Sequence, residues 1–316
     1  MRVCVVGAGA IGGWLAAELA LAGCEVSVLA RGETLRLINA EGLRLTRTDG
    51  LQSVPINAAG DASALGEQDL LIVAVKAPAL PALAPALSPL IASDTIILPM
   101  LNGVPWWFTE EPLQSADPDG TIAATFAKDQ VLGSVVHASC RRVAPNNIQV
   151  VHADKLIVGE VDGGITDRVA RVCGLFEQAN IRCEANENVR RAIWYKLWGN
   201  ATINPLSALT RSTADKLLDD PAIRAWMAEA MDELAAVGAA IGCPISETAE
   251  DRMAVTARLG AFKSSMLQDV ESGRPIELEA LLGAPREIAR RVNVPTPQLD
   301  RIYAMTAQMG ANLGLA

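Results

Sequence analysis

The stretch Arg2-Val3-Cys4-Val5-Val6-Gly7-Ala8-Gly9-Ala10-Ile11-Gly12 decides the fold. Four apolar residues after Arg2 read as a buried strand, and the run Gly13-Trp14-Leu15-Ala16-Ala17-Glu18-Leu19-Ala20 reads as an amphipathic helix. A G-x-G-x-x-G pattern alone carries little weight. Fed by a strand and left by a helix, it has the context that a dinucleotide fingerprint requires. Gly7 permits the tight turn, Gly9 lets the backbone approach a pyrophosphate, and Gly12 lets the helix pack closely on the strand. With Ala8, Ala10 and Ile11 these glycines form a loop that ends at a helix N-terminus, where free N–H groups and the positive dipole end attract phosphate.

The end of the second strand bears on which dinucleotide is bound. Residues 25–30 read as that strand, and Arg31 follows. NAD-binding folds place an acidic residue near this point for the ribose hydroxyl, whereas an arginine suits a 2′-phosphate. Arg31 brings a planar, permanently charged fork to that task, so NADP(H) is the expected cofactor. Glu33 stands two residues further on, and a small loop shift would present it instead.

Length and composition set the remaining bounds. A chain of 316 residues suits two domains. With 50% hydrophobic and 20% charged residues it has the make-up of a soluble enzyme. A net charge of −9 disfavours nucleic acid and anionic membrane surfaces as partners. Apolar runs are interrupted by proline or charge, so no membrane-spanning helix is expected. The first strand reads from position 2, so no targeting segment is expected before it. The six cysteines form no C-x-x-C pair, so buried free thiols in a reducing cytoplasm are expected. With only His137 and His152 available, no zinc ligand set and no metal are expected.

The fold class is therefore α/β, beginning with a Rossmann-type doubly wound sheet. Residues 69–75 and 95–99 are near-continuous apolar strands, as burial on both faces demands. From about 131 the pattern changes. Residues 131–143 and 148–161, joined at Pro145-Asn146-Asn147, read as antiparallel strands that extend the sheet. The second half reads as an all-α domain, with helices over 188–209, 214–241, 247–261, 277–292 and 297–313. A polar break near 184–188 divides a cofactor-binding domain, 1–187, from a helical substrate and catalytic domain, 188–316.

The first helix of that second domain carries the chemistry. Residues 191–206 are apolar almost all round, yet Lys196, Asn200 and Asn204 recur at i, i+4 and i+8. On a helix they share an arc of about 80°. A lysine and two carboxamides on a buried helix are costly unless partnered. Two readings stand: a substrate with a carboxylate and a carbonyl supplies the partners, or an internal ion-pair network does.

This helix, with Asn204-Pro205-Leu206-Ser207-Ala208-Leu209, resembles the signature of the ketopantoate reductases (2-dehydropantoate 2-reductases). Lys263-Ser264-Ser265-Met266-Leu267-Gln268-Asp269, Arg274-Pro275-Ile276-Glu277-Leu278 and Asn102-Gly103 are similar to further motifs of that family. The resemblance spans essentially the whole chain. It implies that Lys196 is the proton donor and that Asn200, Asn204 and Ser265 hold the keto acid. Asn102 would stand between nicotinamide and substrate. Glu277 would reach the substrate hydroxyl or the cofactor ribose, and Lys76 and Ser139 would contact the cofactor. Ser265 reads equally well as a helix N-cap, and Asp269 reads as structural. Burial on an apolar helix should depress the Lys196 pKa, with Glu277 opposing the shift.

The activity so implied is NADPH-dependent reduction of a 2-oxo acid, most simply 2-dehydropantoate to (R)-pantoate in pantothenate and coenzyme A synthesis. The partner would be a small molecule, and a homodimer is compatible with the chain. The alternatives are a reductase of another branched or aromatic 2-oxo acid, and a non-catalytic NADP(H)-sensing regulator. Two departures from the family pattern bear on substrate. Asn102-Gly103 runs into Val104-Pro105-Trp106-Trp107-Phe108 and an extra polar stretch over 109–120, and position 214 is Ala where the family often carries asparagine. The two tryptophans would either wall the substrate pocket or belong to the core.

Overall fold

A computed structural model describes residues 1–315 and divides the chain into two compact units. One comprises residues 1–101 and 120–189, the other 102–119 and 190–316. The sequence reading makes a single cut near 187. The compact units instead group the 102–119 stretch with the helices.

The first unit opens with β1 (Arg2–Val6), α1 (Ala10–Leu21), β2 (Glu25–Leu29) and α2 (Gly32–Glu41). There follow β3 (Leu43–Arg47), β4 (Gly50–Val54), β5 (Asn57–Ala59), β6 (Gln68–Val73), the single turn α3 (Leu80–Leu83) and β7 (Ile91–Pro99). Beyond residue 120 come α4 (Thr121–Thr125), β8 (Leu132–Ala144), β9 (Asn147–Glu160), α5 (Asp167–Gln178) and β10 (Cys183–Ala185). The five strands β5-β2-β1-β6-β7 form one wholly parallel sheet. Its centre is as apolar as burial on both faces requires, with Val3, Cys4, Val5, Leu70, Leu71 and Ile72 fully enclosed.

The antiparallel pair expected over 131–161 is present as β8 and β9. It heads a second, mixed sheet in which β9 also pairs in parallel with β3 and β10, and β3 pairs antiparallel with β4. A lone parallel bridge, Ile97 to Val131, links it to the first sheet. This second layer explains why α1 is not amphipathic: Gly12 through Ala17 and Leu19 are all buried. One face of α1 lies on the parallel sheet. At Gly13 a Cβ would stand 2.7 Å from the Ile148 side chain, so the other face is covered by β9. The polar exception is Glu18, which accepts from Trp14 Nε1 at 3.1 Å and pairs with Arg47 at 2.5 Å.

The second unit holds α6 (Val189–Thr210, which begins in the first unit), α7 (Ala214–Asp219), α8 (Pro221–Ala240), α9 (Ala249–Ala257), α10 (Ser265–Glu271), α11 (Ala284–Arg291) and α12 (Pro297–Leu313). The helix expected over 214–241 is broken at Asp220-Pro221. Proline disfavours a helical residue before it, and Asp220 is extended at ψ 115° and caps α8 by accepting from the N–H groups of Ala222 and Ile223. The helix expected over 277–292 begins later: a π-turn over Glu279–Gly283 precedes α11. α10 lies outside the periodic helices, and it begins one residue before the reading of Ser265 as an N-cap would place it. Two indoles fix α6 on α8. Trp194 Nε1 donates to Leu234 O at 3.1 Å and Trp198 Nε1 to Met231 O at 2.8 Å, and both tryptophans are fully buried. At about 100° per residue this anchored face lies roughly opposite Lys196. The packing of two tryptophans thereby decides where the polar face points.

Candidate active site

In the first unit β1 delivers the chain to Gly7, whose φ of +94° lies in the left-handed region. A Cβ there would come within 2.8 Å of Val75, and one at Gly12 would stand 2.0 Å from the Gly7 carbonyl oxygen. Only glycine lets the helix start this close to the strand. Gly9 differs, because a Cβ there would meet nothing within 4 Å. It is the N-cap of α1, and no side chain caps the helix. Ala8 is buried, while Ala10 and Ile11 form the first turn. An open space beside an uncapped N-terminus of a 12-residue helix fits a pyrophosphate.

This turn sits at the switch point of the sheet, where β1 is flanked by β2 and β6. Lys76 follows β6 as the residue leading into a 3₁₀ turn, and is half-buried. Arg31 ends the β2 side as the exposed N-cap of α2, its guanidinium making no hydrogen bond or ion pair among the described residues. Glu33, its competitor, is engaged by Arg36 at 2.6 and 2.7 Å. The Arg36 guanidinium holds its carboxyl below the usual range. Ser139 lies on β8 opposite His152, in the other sheet from the glycine turn.

In the second unit the structure brings three of the foreseen polar residues into one chain. Lys196 Nζ donates to Asn102 Oδ1 at 2.9 Å, and Asn102 Nδ2 donates to Glu277 Oε2 at 3.3 Å. The carboxamide thus relays between a cation and an anion, each end matched to its neighbour. Burial pulls the Lys196 ammonium down to about 8; Glu277 opposes the shift and Arg252 adds to it. Two helical turns along α6, the buried Asn204 extends Nδ2 toward Ser265 Oγ at 3.5 Å, the outer limit of a hydrogen bond. Asn200, between them, makes no side-chain hydrogen bond among the described residues. Ser265 is not the N-cap of α10. Ser264 takes that role by accepting from Leu267 N at 3.1 Å, which leaves the Ser265 hydroxyl available. Asp269 is buried and pairs with Arg274 at 3.2 Å, a structural bond.

Asn102 reaches this cluster because of its neighbour. Gly103 has φ +79°, and a Cβ there would stand 2.2 Å from Ala280 O. Val104 N donates to the same carbonyl at 2.9 Å. This close approach lays the 102–104 backbone on the segment that carries Glu277. Trp106 and Trp107 are buried, and Phe108 stacks on Trp194 at 5.9 Å, so these aromatics belong to the core of the second unit. The polar stretch beyond them is tied to α11. Glu287 accepts from Gln114 N at 3.1 Å and Ser115 N at 2.9 Å, while Arg291 donates to Glu111 O at 3.0 Å.

Arg252, whose guanidinium lies against Gly199 of α6, acts on Lys196 and is not singled out by the sequence pattern. Neither Arg252 nor Gly199 belongs to the i, i+4 pattern, and they are brought together only by the packing of α9 on α6.

A glycine turn open to a phosphate in one unit, and in the other a buried lysine joined through Asn102 to a carboxylate, are each features of the class of oxidoreductases. Comparison with known proteins gives the family. Residues 3–163 match the family model for ketopantoate reductase PanE/ApbA, and residues 188–310 match its C-terminal counterpart. A 2-dehydropantoate 2-reductase of Mesorhizobium japonicum is 37% identical over 324 residues, covering 99% of each chain. A solved structure from Ralstonia solanacearum MolK2 superimposes with a TM-score of 0.97 at 46% identity, covering 100% of this chain and 99% of that one. The 2-dehydropantoate 2-reductase of Geobacter metallireducens GS-15 gives a TM-score of 0.88 at 26% identity, covering 98% of this chain and 100% of that one. This chain belongs to the ketopantoate reductase family and is an enzyme of the 2-dehydropantoate 2-reductase type.

Proposed function

We propose that the protein reduces a 2-oxo acid to the 2-hydroxy acid with NADPH, and that the substrate is 2-dehydropantoate, giving (R)-pantoate for pantothenate and coenzyme A synthesis. The Lys196–Asn102–Glu277 chain is the observation that carries this reading. The Gly7–Gly12 turn would hold the pyrophosphate and Arg31 the 2′-phosphate, with Lys76 and Ser139 as further contacts. Bound nicotinamide supplies the hydride.

The protein's own residues manage the charge and the proton. As the carbonyl carbon is reduced, negative charge grows on its oxygen, and the Lys196 ammonium stabilises it and then delivers a proton from Nζ. An ammonium brought down to about 8 gives up that proton more readily than an ordinary lysine. Asn102 fixes the rotamer of the lysine by accepting from it. Glu277 keeps the ammonium charged before reduction and is placed to meet the substrate hydroxyl. Asn200, Asn204 and Ser265 offer amide and hydroxyl groups to the rest of the keto acid.

The second reading, another branched or aromatic 2-oxo acid, is favoured by one position. Ala214 offers only its backbone N–H, donated to Phe262 O at 2.9 Å, where the resemblance leads one to expect a carboxamide. A sensor of NADP(H) would need the glycine turn and not the Lys196–Asn102–Glu277 chain. Steady-state NADPH oxidation across a panel of 2-oxo acids tests the assignment. Ketopantoate should give the highest kcat/KM. Turnover of several others with none on ketopantoate would overturn it.

A further inference from the structure

We propose that Arg252 anchors the carboxylate of the 2-oxo acid, as a substrate-binding residue outside the Lys196–Asn102–Glu277 chain. This rests on the oxidoreductase reading above. Arg252 stands on α9, and its guanidinium lies against α6 at Gly199. A Cβ at position 199 would come within 2.8 Å of Nη2, 3.0 Å of Nε and 3.1 Å of Cζ, so a methyl there would push the end of the Arg252 side chain aside by a few tenths of an ångström. Cζ lies 5.7 Å from the ring centroid of Tyr195, which supports it as a cation–π partner. Gly199 is three residues after Lys196 and next to Asn200, which puts it about 60° from Lys196 around the helix. The guanidinium therefore borders the polar face.

What this guanidinium lacks is a hydrogen-bonded anion: Glu247 acts on it only through space. Among the described residues it makes no hydrogen bond and no ion pair, and its Nε is buried without a partner. A desolvated guanidinium with unused donors is costly, and such groups are retained where an anion completes them. The nearby carboxylate, Glu247, is already engaged by the Tyr195 and Ser246 hydroxyls. Lys196 and Arg252 are close enough for Arg252 to depress the lysine, so the guanidinium stands within electrostatic reach of the group proposed to meet the carbonyl oxygen. The forked guanidinium suits the two oxygens of a carboxylate, and the lysine suits the single carbonyl oxygen beside it.

The test compares a 2-oxo acid with its primary 2-oxo amide, by calorimetric titration and by NADPH-dependent turnover, on wild type, Arg252→Gln and Arg252→Lys. Loss of a charge-assisted contact should weaken binding of the acid roughly 10–100-fold in Arg252→Gln. The amide should change less than about threefold, with NADPH affinity and melting temperature unaltered. Arg252→Lys should fall between, because it keeps the charge and loses the fork. Equal losses for acid and amide would overturn the proposal and leave Arg252 a packing residue. Gly199→Ala gives an independent readout, since the added methyl displaces the guanidinium while Arg252 is retained. It should weaken the acid selectively in the wild-type background and add nothing to Arg252→Gln; the same loss in both backgrounds would contradict the proposal. A wild type that binds 2-oxo acids through Arg252 without reducing them would sink the reductase reading alone. One that binds no 2-oxo acid would sink both.

Discussion

Lys196 spends burial energy to hold a proton loosely, and a pH profile should show it. As the proposed proton donor the group must be protonated, and its pKa is brought down to about 8 by burial. Reductive kcat/KM should therefore fall as pH rises through about 8, well before an ordinary lysine would deprotonate. Glu277 raises this pKa, so Glu277→Gln should move the falling limb to lower pH; a limb that stays in place would show that another group controls it. Arg31 is tested by cofactor choice. Arg31→Ala should weaken NADPH by about 1.5–3 kcal/mol and leave NADH nearly unchanged. Equal weakening of both would pass the 2′-phosphate to another residue. These two residues were legible in the sequence because their signals are local: a helical repeat for one, the residue after a strand for the other. The pairing of Glu33 with Arg36, which leaves Arg31 as the available charge, was half-written in an i, i+3 spacing that the sequence reading did not use. Arg252 was illegible, because nothing within α9 tells that its guanidinium meets a glycine more than fifty positions away.

Among the elements, the loop that bears Asn102 is held by close backbone approach. Gly103→Ala would force a Cβ into the Ala280 carbonyl at a positive φ, costing roughly 1–3 kcal/mol of strain. Because the displaced backbone carries Asn102, turnover should fall with NADPH affinity intact, as paired melting and cofactor titrations would show. Unchanged turnover despite a lowered melting point would mean that Asn102 need not be held by this contact. Strands and long helices were legible from periodicity, and breaks in them less so. The Asp220-Pro221 break lies inside an otherwise continuous helical pattern, and the proline signal in it was overridden by the flanking apolar repeat. The reverse error concerns α1. Its surroundings, two sheets rather than one, depend on β9 returning from far along the chain to pair with β3, which no local pattern announces.

For the molecule as a whole, the 102–119 stretch shows what sequence order conceals. It follows a strand of the first unit, yet its tryptophans and its Glu287 and Arg291 contacts belong to the second. With Trp107 in the core, Trp107→Ala should lower stability by about 3–5 kcal/mol and leave the ranking of 2-oxo acids unaltered. A changed ranking at an unchanged melting point would instead make it a pocket wall.

The central claim is that Lys196 serves the carbonyl oxygen and not the cofactor. The most direct measurement pairs NADPH binding with turnover in Lys196→Ala. The NADPH Kd should match wild type while kcat on ketopantoate falls by about 10²–10⁴-fold. A variant that keeps more than about a tenth of wild-type kcat, or that loses NADPH together with turnover, would contradict the assignment of the proton to Lys196.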